Sequence, residues 1–312
     1  MNVYGVIVDA QYPSNIKDKW ICALKVIDGS YHTLGNERDE NFKVATVIIY
    51  ARRFEDCPLV RQIGDIIRVH RANFKEHKGQ RQFNASVHSN ASWCLFSTKP
   101  QHALKGDDSA SDEEMRDENA EDDEGKVGHG DYDPYKFSGK NYSLDLSVHK
   151  GILKSLRKWA IKYLTNNSVI HLTTYAQLKT LDADDAKGRD IDLLVKVLKM
   201  FEKDEHTLEL RIKDNSNQLW FLSLPKLRFG GNIDIREGEI IRVRSVIRDV
   251  TSRGKRVNSK MSTNILKFLP CAKIVTEMAH QINNLTDDDK LLLEDESEVI
   301  MHPVTLTETP TV

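Results

Sequence analysis

The chain has 312 residues, enough for two domains with connecting segments, and its hydrophobic content of 39% is sufficient for packed cores. Its 4 cysteines show no CxxC spacing and no apolar run approaches ~18 residues, which argues against a zinc site, a disulfide framework and a membrane span. Phosphate-binding, nucleophile-elbow and zinc-protease motifs are missing as well, so we expect a protein without catalytic, cofactor or metal sites.

The net charge of −2 conceals two acidic segments. Residues 105–133 hold 13 acidic and 3 basic residues, and residues 286–298 hold 7 acidic residues and 1 lysine. Without these segments the chain carries a charge of +14, which favours a polyanionic partner.

Strand patterns fill most of the first hundred residues. Alternating apolar residues predict strands at 3–10, 20–28 and 45–51, then a short helical or irregular segment, then two strands around a basic hairpin within 64–87. Five strands with an insert after the third is the strand order of the OB-fold, a small Greek-key barrel that holds single-stranded nucleic acid.

One sequence pattern occurs twice. GDIIRVHRA at Gly64–Ala72 returns as GEIIRVRSV at Gly238–Val246. In each copy a glycine and an acid make a turn, and Ile-Ile-Arg-Val then alternates between the two faces of a strand. The repeat predicts two copies of one small β-fold.

The remaining elements complete this organisation. We expect a helix at 144–164, a shorter helix around 174–181, five strands between 190 and 269, and a closing helix at 272–283. The predicted fold class is all-β dominated with some α, with two five-stranded OB-fold Greek-key barrels. The expected boundaries are a first OB-fold at 1–104, an acidic disordered linker at 105–142, connecting helices plus a second OB-fold at 143–285, and an acidic, polar tail at 286–312.

Single-stranded nucleic acid requires cations along its backbone and flat side chains beneath its bases. The first predicted barrel offers both, namely the cations Lys25, Lys75, Lys78 and Arg81 with Tyr12, His77 and His88 as stacking platforms. In the second, Asp190 and Asp192 project from one face of a predicted strand. Carboxylates there could accept hydrogen bonds from guanine, or they could be edge-strand acids that prevent aggregation.

The segments ICALKVIDGS, YARRFEDCPLVRQIGDIIRVHRA, GQRQFNASV and KGRDIDLLVKVLK resemble the α subunit of the ciliate telomere end-binding proteins, relatives of the protection-of-telomeres proteins. The resemblance covers roughly residues 3–283 apart from the acidic linker. It implies two OB-folds that jointly grip a G-rich 3′ overhang, and a further C-terminal OB-fold that binds a β subunit.

Carried over by position, the family's DNA contacts fall on Lys25, Gln82, Asp190 and Asp192, with Tyr12 matching an aromatic residue. Other positions differ from the family. His77 and His206 occupy positions that are tyrosine in the family, and His88 occupies an aromatic position. Arg228 replaces a lysine, and Met261 or Ser262 replaces a base-stacking histidine. Losing two or three stacked bases would cost about 2–6 kcal/mol. The resemblance therefore implies a telomeric DNA-binding protein of weaker affinity or altered specificity.

The resemblance implies a non-enzymatic nuclear protein at chromosome telomeres that protects or helps replicate their ends. Other telomere or replication proteins are possible partners, whereas binding of a β subunit is doubtful because the chain ends soon after the second barrel. Three alternatives remain open: a general single-stranded DNA- or RNA-binding protein, a telomerase-associated subunit, or a protein-interaction module of a telomere complex.

Overall fold

The structure, a computed structural model, describes residues 1–32, 44–98, 132–138, 146–168, 175–181, 188–229, 235–250 and 255–282. The strands of the first half are β1 (Val3–Ala10), β2 (Ser14–Ile16), β3 (Lys19–Ile27), β4 (Ala45–Ala51), β5 (Ile66–His70), β6 (Asn73–His77), β7 (Gln80–Ser86), β8 (Ser92–Phe96) and β9 (Lys136–Phe137). Those of the second half are β10 (Ile191–Glu202), β11 (Thr207–Lys213), β12 (Leu219–Pro225), β13 (Ile240–Arg248) and β14 (Arg256–Lys267). The α-helices are α1 (Leu146–Asn166), α2 (Lys226–Phe229) and α3 (Lys273–Gln281).

The first barrel closes through one bent strand. β5 pairs with β1, whereas β6 pairs with β7, and the path between them runs through β3 and β4. β5 and β6 are the two parts of this bent strand, and Arg71 lies between them with a φ of 58°, in the left-handed region. The parallel pair β4–β7 completes a five-stranded arrangement, as in an OB-fold.

The second barrel repeats the first. Its closed strand order is β10-β11-β12-β14-β13, again with one parallel pair, β12–β14. Ser245 stands where Arg71 stands in the first copy, and its φ of 60° is nearly the same. The all-β dominated fold class and the prediction of two related barrels are therefore confirmed.

The repeated glycine–acid turn makes the same hydrogen bonds in both barrels. The Gly64 amide donates to the Ile7 carbonyl at 2.8 Å, and the Gly238 amide donates to the Val197 carbonyl at 2.7 Å. Both glycines have positive φ, +105° and +87°, which explains the residue choice. β1 and β10 each contain a register shift directly after the accepting residue, so the barrels can be aligned residue by residue.

Segment 132–138 corrects the expectation of a disordered linker over 105–142. Here β9 pairs with β8, the Ser138 amide donates to the Trp93 carbonyl at 3.0 Å, and the Tyr135 hydroxyl donates to buried Asp65 at 2.8 Å. The prediction missed this segment because it was based on the acidic composition of the whole region, to which the neighbouring residues contribute most. The other linker residues, and the tail at 286–312, lie outside the described residues.

The two barrels share one apolar cluster. It contains the first barrel's core, buried residues of α1 such as Leu153 and Leu164, and second-half residues such as Leu266 and Met278. A separate cluster around Trp220 fills the second barrel. The helix α1 therefore packs against the first barrel, although it was grouped with the second in the expected boundaries.

Backbone contacts also join the two halves. The Ile63 amide donates to the Lys267 carbonyl at 2.8 Å, and the Lys267 amide donates to the Arg61 carbonyl at 2.7 Å. The Asn264 side chain donates to the Ala10 carbonyl at 3.1 Å. Apolar packing and direct hydrogen bonds thus hold the barrels in a defined relation.

Two expectations for helices differ in outcome. Helix α1 extends two residues beyond the expected end. The shorter helix expected around 174–181 is only a 3-10 turn at Leu178–Thr180 in the described part of that range. None of the helices among the described residues is long and apolar enough to span a membrane.

Replacing Gly64 by alanine should destabilise the protein more than replacing Gly238. Both changes place a side chain at positive φ, at a cost of about 1 kcal/mol. A Cβ at Gly64 would also lie 2.9 Å from Leu269 Cδ1 and 3.1 Å from Leu164 Cδ1, whereas one at Gly238 meets no atom within 4 Å. In thermal unfolding, Gly238→Ala should be more stable than Gly64→Ala by about 1–3 kcal/mol. Equal losses of stability in the two variants would contradict the packing argument.

Asp65 should make stability pH-dependent. Burial raises the pKa of this carboxyl to about 7, although the Tyr135 hydrogen bond opposes the rise. Between about pH 4 and 7 the folded protein then binds a proton that the unfolded chain releases, so stability falls as the pH rises. When urea denaturation is measured at pH 5 and pH 8, Asp65→Asn should reduce the loss of stability between the two pH values. At pH 8 its free energy of unfolding should exceed that of the wild type by up to about 4 kcal/mol. Glu55→Gln, at an exposed acid, serves as control; a loss of stability at pH 8 in Asp65→Asn would refute the explanation.

Candidate nucleic-acid interface

A row of polar side chains crosses the outer face of the first barrel. Cross-strand partners are Lys75 with Gln82, Gln82 with Thr46, Thr46 with Lys25, and Lys25 with Asp9. Side chains opposite each other in a sheet lie on one face, and strands are spaced about 4.8 Å apart, so the row is roughly 19 Å long. We call these five residues the polar row; three of them, Lys75, Gln82 and Lys25, were candidates from the sequence.

The β6–β7 hairpin divides the basic candidates between two faces. His77 lies two residues from Lys75 and shares the face of the polar row. Arg81 pairs with Glu76 on the opposite face, so the structure does not bring it to the row. Lys78 and Gly79 form the turn, both with positive φ, which leaves the Lys78 side chain at the exposed tip.

Three further candidates are exposed at separate positions. His88 lies in the 3-10 turn after β7, and His206 in the turn between β10 and β11. Met261 in β14 is 82% exposed, beside Lys260 and Ser262. Of these three, Met261 directly follows Lys260, which contacts Asp190 at the junction between the barrels.

Asp190 and Asp192 lie at this junction, and both have partners. The Asp192 Oδ1 atom accepts from the Ser245 amide at 2.9 Å, and its Oδ2 atom accepts from Arg244 Nε at 3.2 Å. Asp190 accepts from the Ser245 hydroxyl at 3.1 Å and from the Lys260 ammonium group. The Lys260 hydrogen bond lowers the pKa of the Asp190 carboxyl, so this group is ionised at neutral pH.

The local structure explains why these groups meet. The left-handed conformation of Ser245 turns its amide towards Asp192, and its carbonyl accepts from the Thr263 hydroxyl at 2.7 Å. The Ser245 hydroxyl also lies 2.9 Å from the Ser262 hydroxyl. The bend in β13 therefore brings Asp192 of β10, and Asp190 directly before this strand, together with the polar residues of β14.

Tyr12 of the first barrel and Arg228 of the second also meet at the junction. The Arg228 guanidinium carbon lies 3.8 Å from the centre of the Tyr12 ring, a cation–π contact, and Phe54 lies 5.5 Å from the same ring. Arg228 also donates to the carbonyls of Lys260 and Thr263. Burial lowers the pKa of its guanidinium group, although the group stays charged. Tyr12 therefore does not offer an open platform to a base in this structure.

A pocket of about 320 Å³ opens beside this contact. Its lining includes Tyr12, Phe54, Arg61, Lys136 and Arg228, which come from both halves of the chain. Burial, and then the nearby Arg61, lower the pKa of Lys136. Aromatic and cationic walls together suit a planar, anionic group such as a nucleotide.

Several residues of this interface were missed by sequence reasoning. They are Asp9, Thr46, Arg242, Arg244, Ser245 and Lys260. The only signal was the repeated IIRV pattern, continued as IIRVRSV in the second copy, which places arginines beside core residues of a strand. Asp9 gave none, because a single acid at the end of an apolar strand resembles an ordinary strand end.

Structural alignment of the barrels shows a second row. The positions of Asp9, Lys25, Thr46 and Gln82 correspond to Lys199, Arg211, Phe221 and Arg256 in the second barrel. Arg211 is buried, with its guanidinium carbon 5.4 Å from the Phe201 ring and 5.5 Å from the Phe221 ring. Arg256 pairs with buried Glu209, so part of this row's charge is neutralised.

Among the described residues, no cluster of three or more His, Cys, Asp or Glu could hold a metal ion. The side chains described above at the junction and in the polar row are cations, amides, carboxylates, hydroxyls and aromatic rings.

Two family models match the chain. Residues 1–170 match the family model for telomeric single-stranded DNA binding POT1/CDC13, and residues 179–280 match that for the telomere end-binding protein alpha subunit OB2 domain. The first match includes α1, in accordance with its packing.

Curated relatives extend the similarity to nearly the whole chain. The telomere-binding protein subunit alpha of Stylonychia mytilus is 37% identical over 98% of this chain and 57% of its own length. The subunit alpha of Sterkiella nova is 34% identical over 98% of this chain and 57% of its own length. A telomere-binding protein homolog of Euplotes crassus is 33% identical over 99% of this chain and 62% of its own length. The chain thus spans about three fifths of the relatives it matches, and it belongs to the telomeric single-stranded DNA binding POT1/CDC13 family.

Proposed function

We propose that this chain binds single-stranded, G-rich telomeric DNA in a groove formed by the two barrels. The observation that carries the proposal is the polar row, which crosses five strands of the first barrel and ends at the junction where Asp190 and Asp192 lie. Family membership supports the same ligand class.

Each part of the groove suits a different part of the ligand. Lys25, Lys75 and exposed His77 can contact phosphates or stack beneath bases, and Gln82 can hydrogen-bond a base edge. Gln82 already donates to Asn84 at 2.8 Å, which fixes the orientation of its amide. The carboxylates of Asp190 and Asp192 can accept the N–H groups of a guanine Watson–Crick edge.

The ion pairs of the junction need not prevent Asp190 and Asp192 from accepting hydrogen bonds from a guanine. A carboxylate has about four acceptor positions, and Asp192 uses two of them in the hydrogen bonds from Ser245 and Arg244. The Asp190 side chain is 56% exposed and that of Lys260 36%, so their pair lies in water and is weak. DNA can therefore share or displace Lys260 at small cost.

We further propose a binding role without catalysis, exercised in the nucleus at chromosome ends, in their protection or their replication. Binding partners other than DNA, including other telomere or replication proteins, belong to the same proposal. A general single-stranded DNA- or RNA-binding protein, a telomerase-associated subunit and a protein-interaction module are the alternatives.

Fluorescence anisotropy with the full chain separates these alternatives. G-rich telomeric repeats should bind more tightly than poly(dT) or the RNA version of the repeat. The logarithm of the binding constant should fall by about 0.7 per neutralised phosphate for each log unit of salt. Equal binding of all three ligands would favour the general binder, and a flat salt profile without discrimination would favour a protein partner.

Variants of the polar row test the groove itself. Lys25→Ala and Gln82→Ala should each weaken binding of the G-rich repeat about tenfold, through loss of one charged or bidentate contact. Only the lysine change should reduce the salt dependence, because it alone removes a charge. Lys158→Ala, at an exposed cation of α1, is the matched control; if it weakens binding as much as Lys25→Ala, the assigned groove is wrong.

A further inference from the structure

Asp9 is a buried carboxylate at the end of the polar row. It belongs to β1 of the first barrel and is 8% exposed. Its partners come from β13 of the second barrel: Arg242 Nη1 lies 2.7 Å from Oδ1, and Arg244 Nη1 lies 3.1 Å from Oδ1 and 3.2 Å from Oδ2. One carboxylate therefore holds two arginines across the boundary between the barrels.

Arg244 connects Asp9 to Asp192. While its Nη1 atom donates to Asp9, its Nε atom donates to Asp192 Oδ2 at 3.2 Å. The guanidinium group is planar and its donors are fixed relative to each other, so the position of Asp9 determines the edge presented to Asp192. The Ser245 amide holds the other oxygen, and the carboxylate plane is thereby fixed.

The charges at this point balance only with Asp9 present. Two aspartates face two arginines, and Arg242 Nη2 stands 3.9 Å from Asp192 Oδ2. Without Asp9, both guanidinium groups would have Asp192 as their nearest carboxylate among the contacts described. They would then occupy the acceptor positions that a guanine would need.

We propose that Asp9 of the first barrel is a positioning residue for guanine recognition by Asp192 of the second barrel. Asp9 draws the two arginines towards itself and leaves Asp192 oriented and open to a base. Base recognition in one barrel thus depends on docking to the other. This inference rests on the proposed function, since it assigns a role within the same DNA-binding groove.

The test uses the full chain and a G-rich repeat in which each guanine in turn is replaced by inosine, which lacks the 2-amino group. The wild type should lose about tenfold in affinity at the guanine that Asp192 reads. Asp192→Asn identifies that nucleotide, because it should lower the discrimination there to less than threefold.

Asp9→Asn should lower the discrimination at the same nucleotide to less than threefold and keep it at the others. The double variant with Asp192→Asn should show no further loss, because both changes remove one interaction. Glu209→Gln is the matched control: it removes another buried carboxylate paired with an arginine, in the second barrel, and should leave discrimination unchanged.

A second variant covers the case in which Asp9→Asn does not fold. Arg244→Lys keeps the positive charge but lacks the planar group that holds Asp9 and Asp192 in a fixed relative orientation, and it should give the same selective loss. Full discrimination at the Asp192 nucleotide in Asp9→Asn or Arg244→Lys overturns the inference, and so does a uniform loss at every guanine. A wild type that shows no preference for G-rich DNA would instead refute the proposed function.

Discussion

The relation between the two barrels depends on how a buried carboxylate is neutralised. An isolated charge with the exposure of Asp9 would be costly, and the arginines of β13 compensate for it at close range. Apolar packing between α1, β14 and α3 supplies most of the attraction, but it is not directional. The ion pairs, with the hydrogen bonds of Arg61, Ile63 and Lys267, define the orientation in which the faces meet.

The two barrels show how one backbone can carry two kinds of surface. Both contain the same glycine–acid turn, an equivalent register shift in the first strand, and a left-handed residue at the same position after the turn, Arg71 in one barrel and Ser245 in the other. The outer row of the first barrel has Lys25, Thr46 and Gln82, whereas the second has Arg211, Phe221 and Arg256 partly neutralised by Glu209. In the second barrel the arginines that contact Asp9 of the first lie beside the bend at Ser245.

This arrangement influences how a ligand would bind. The ring of Tyr12 is already in contact with Arg228, and both Asp190 and Asp192 have cationic partners. A nucleic acid would therefore exchange partners at the junction, while it would add new contacts along the polar row. The expectation of weaker binding from lost aromatic platforms stays a prediction, and so do the individual contacts of His77, His88, His206 and Met261.

Local patterns alone determined much of this protein: the strands at 3–10 and 45–51, the helix after the acidic segment, and the repeat that starts at Gly64 and Gly238. Those features depend on residues a few positions apart, through alternation, turn geometry and helical spacing. The tertiary structure decided that segment 132–138 adds a strand, that Gln82 and Lys25 belong to one row through Thr46, and that Asp9 meets Arg242, 233 residues away. Such contacts depend on how strands pair and how the barrels dock, and no periodicity in the sequence records them.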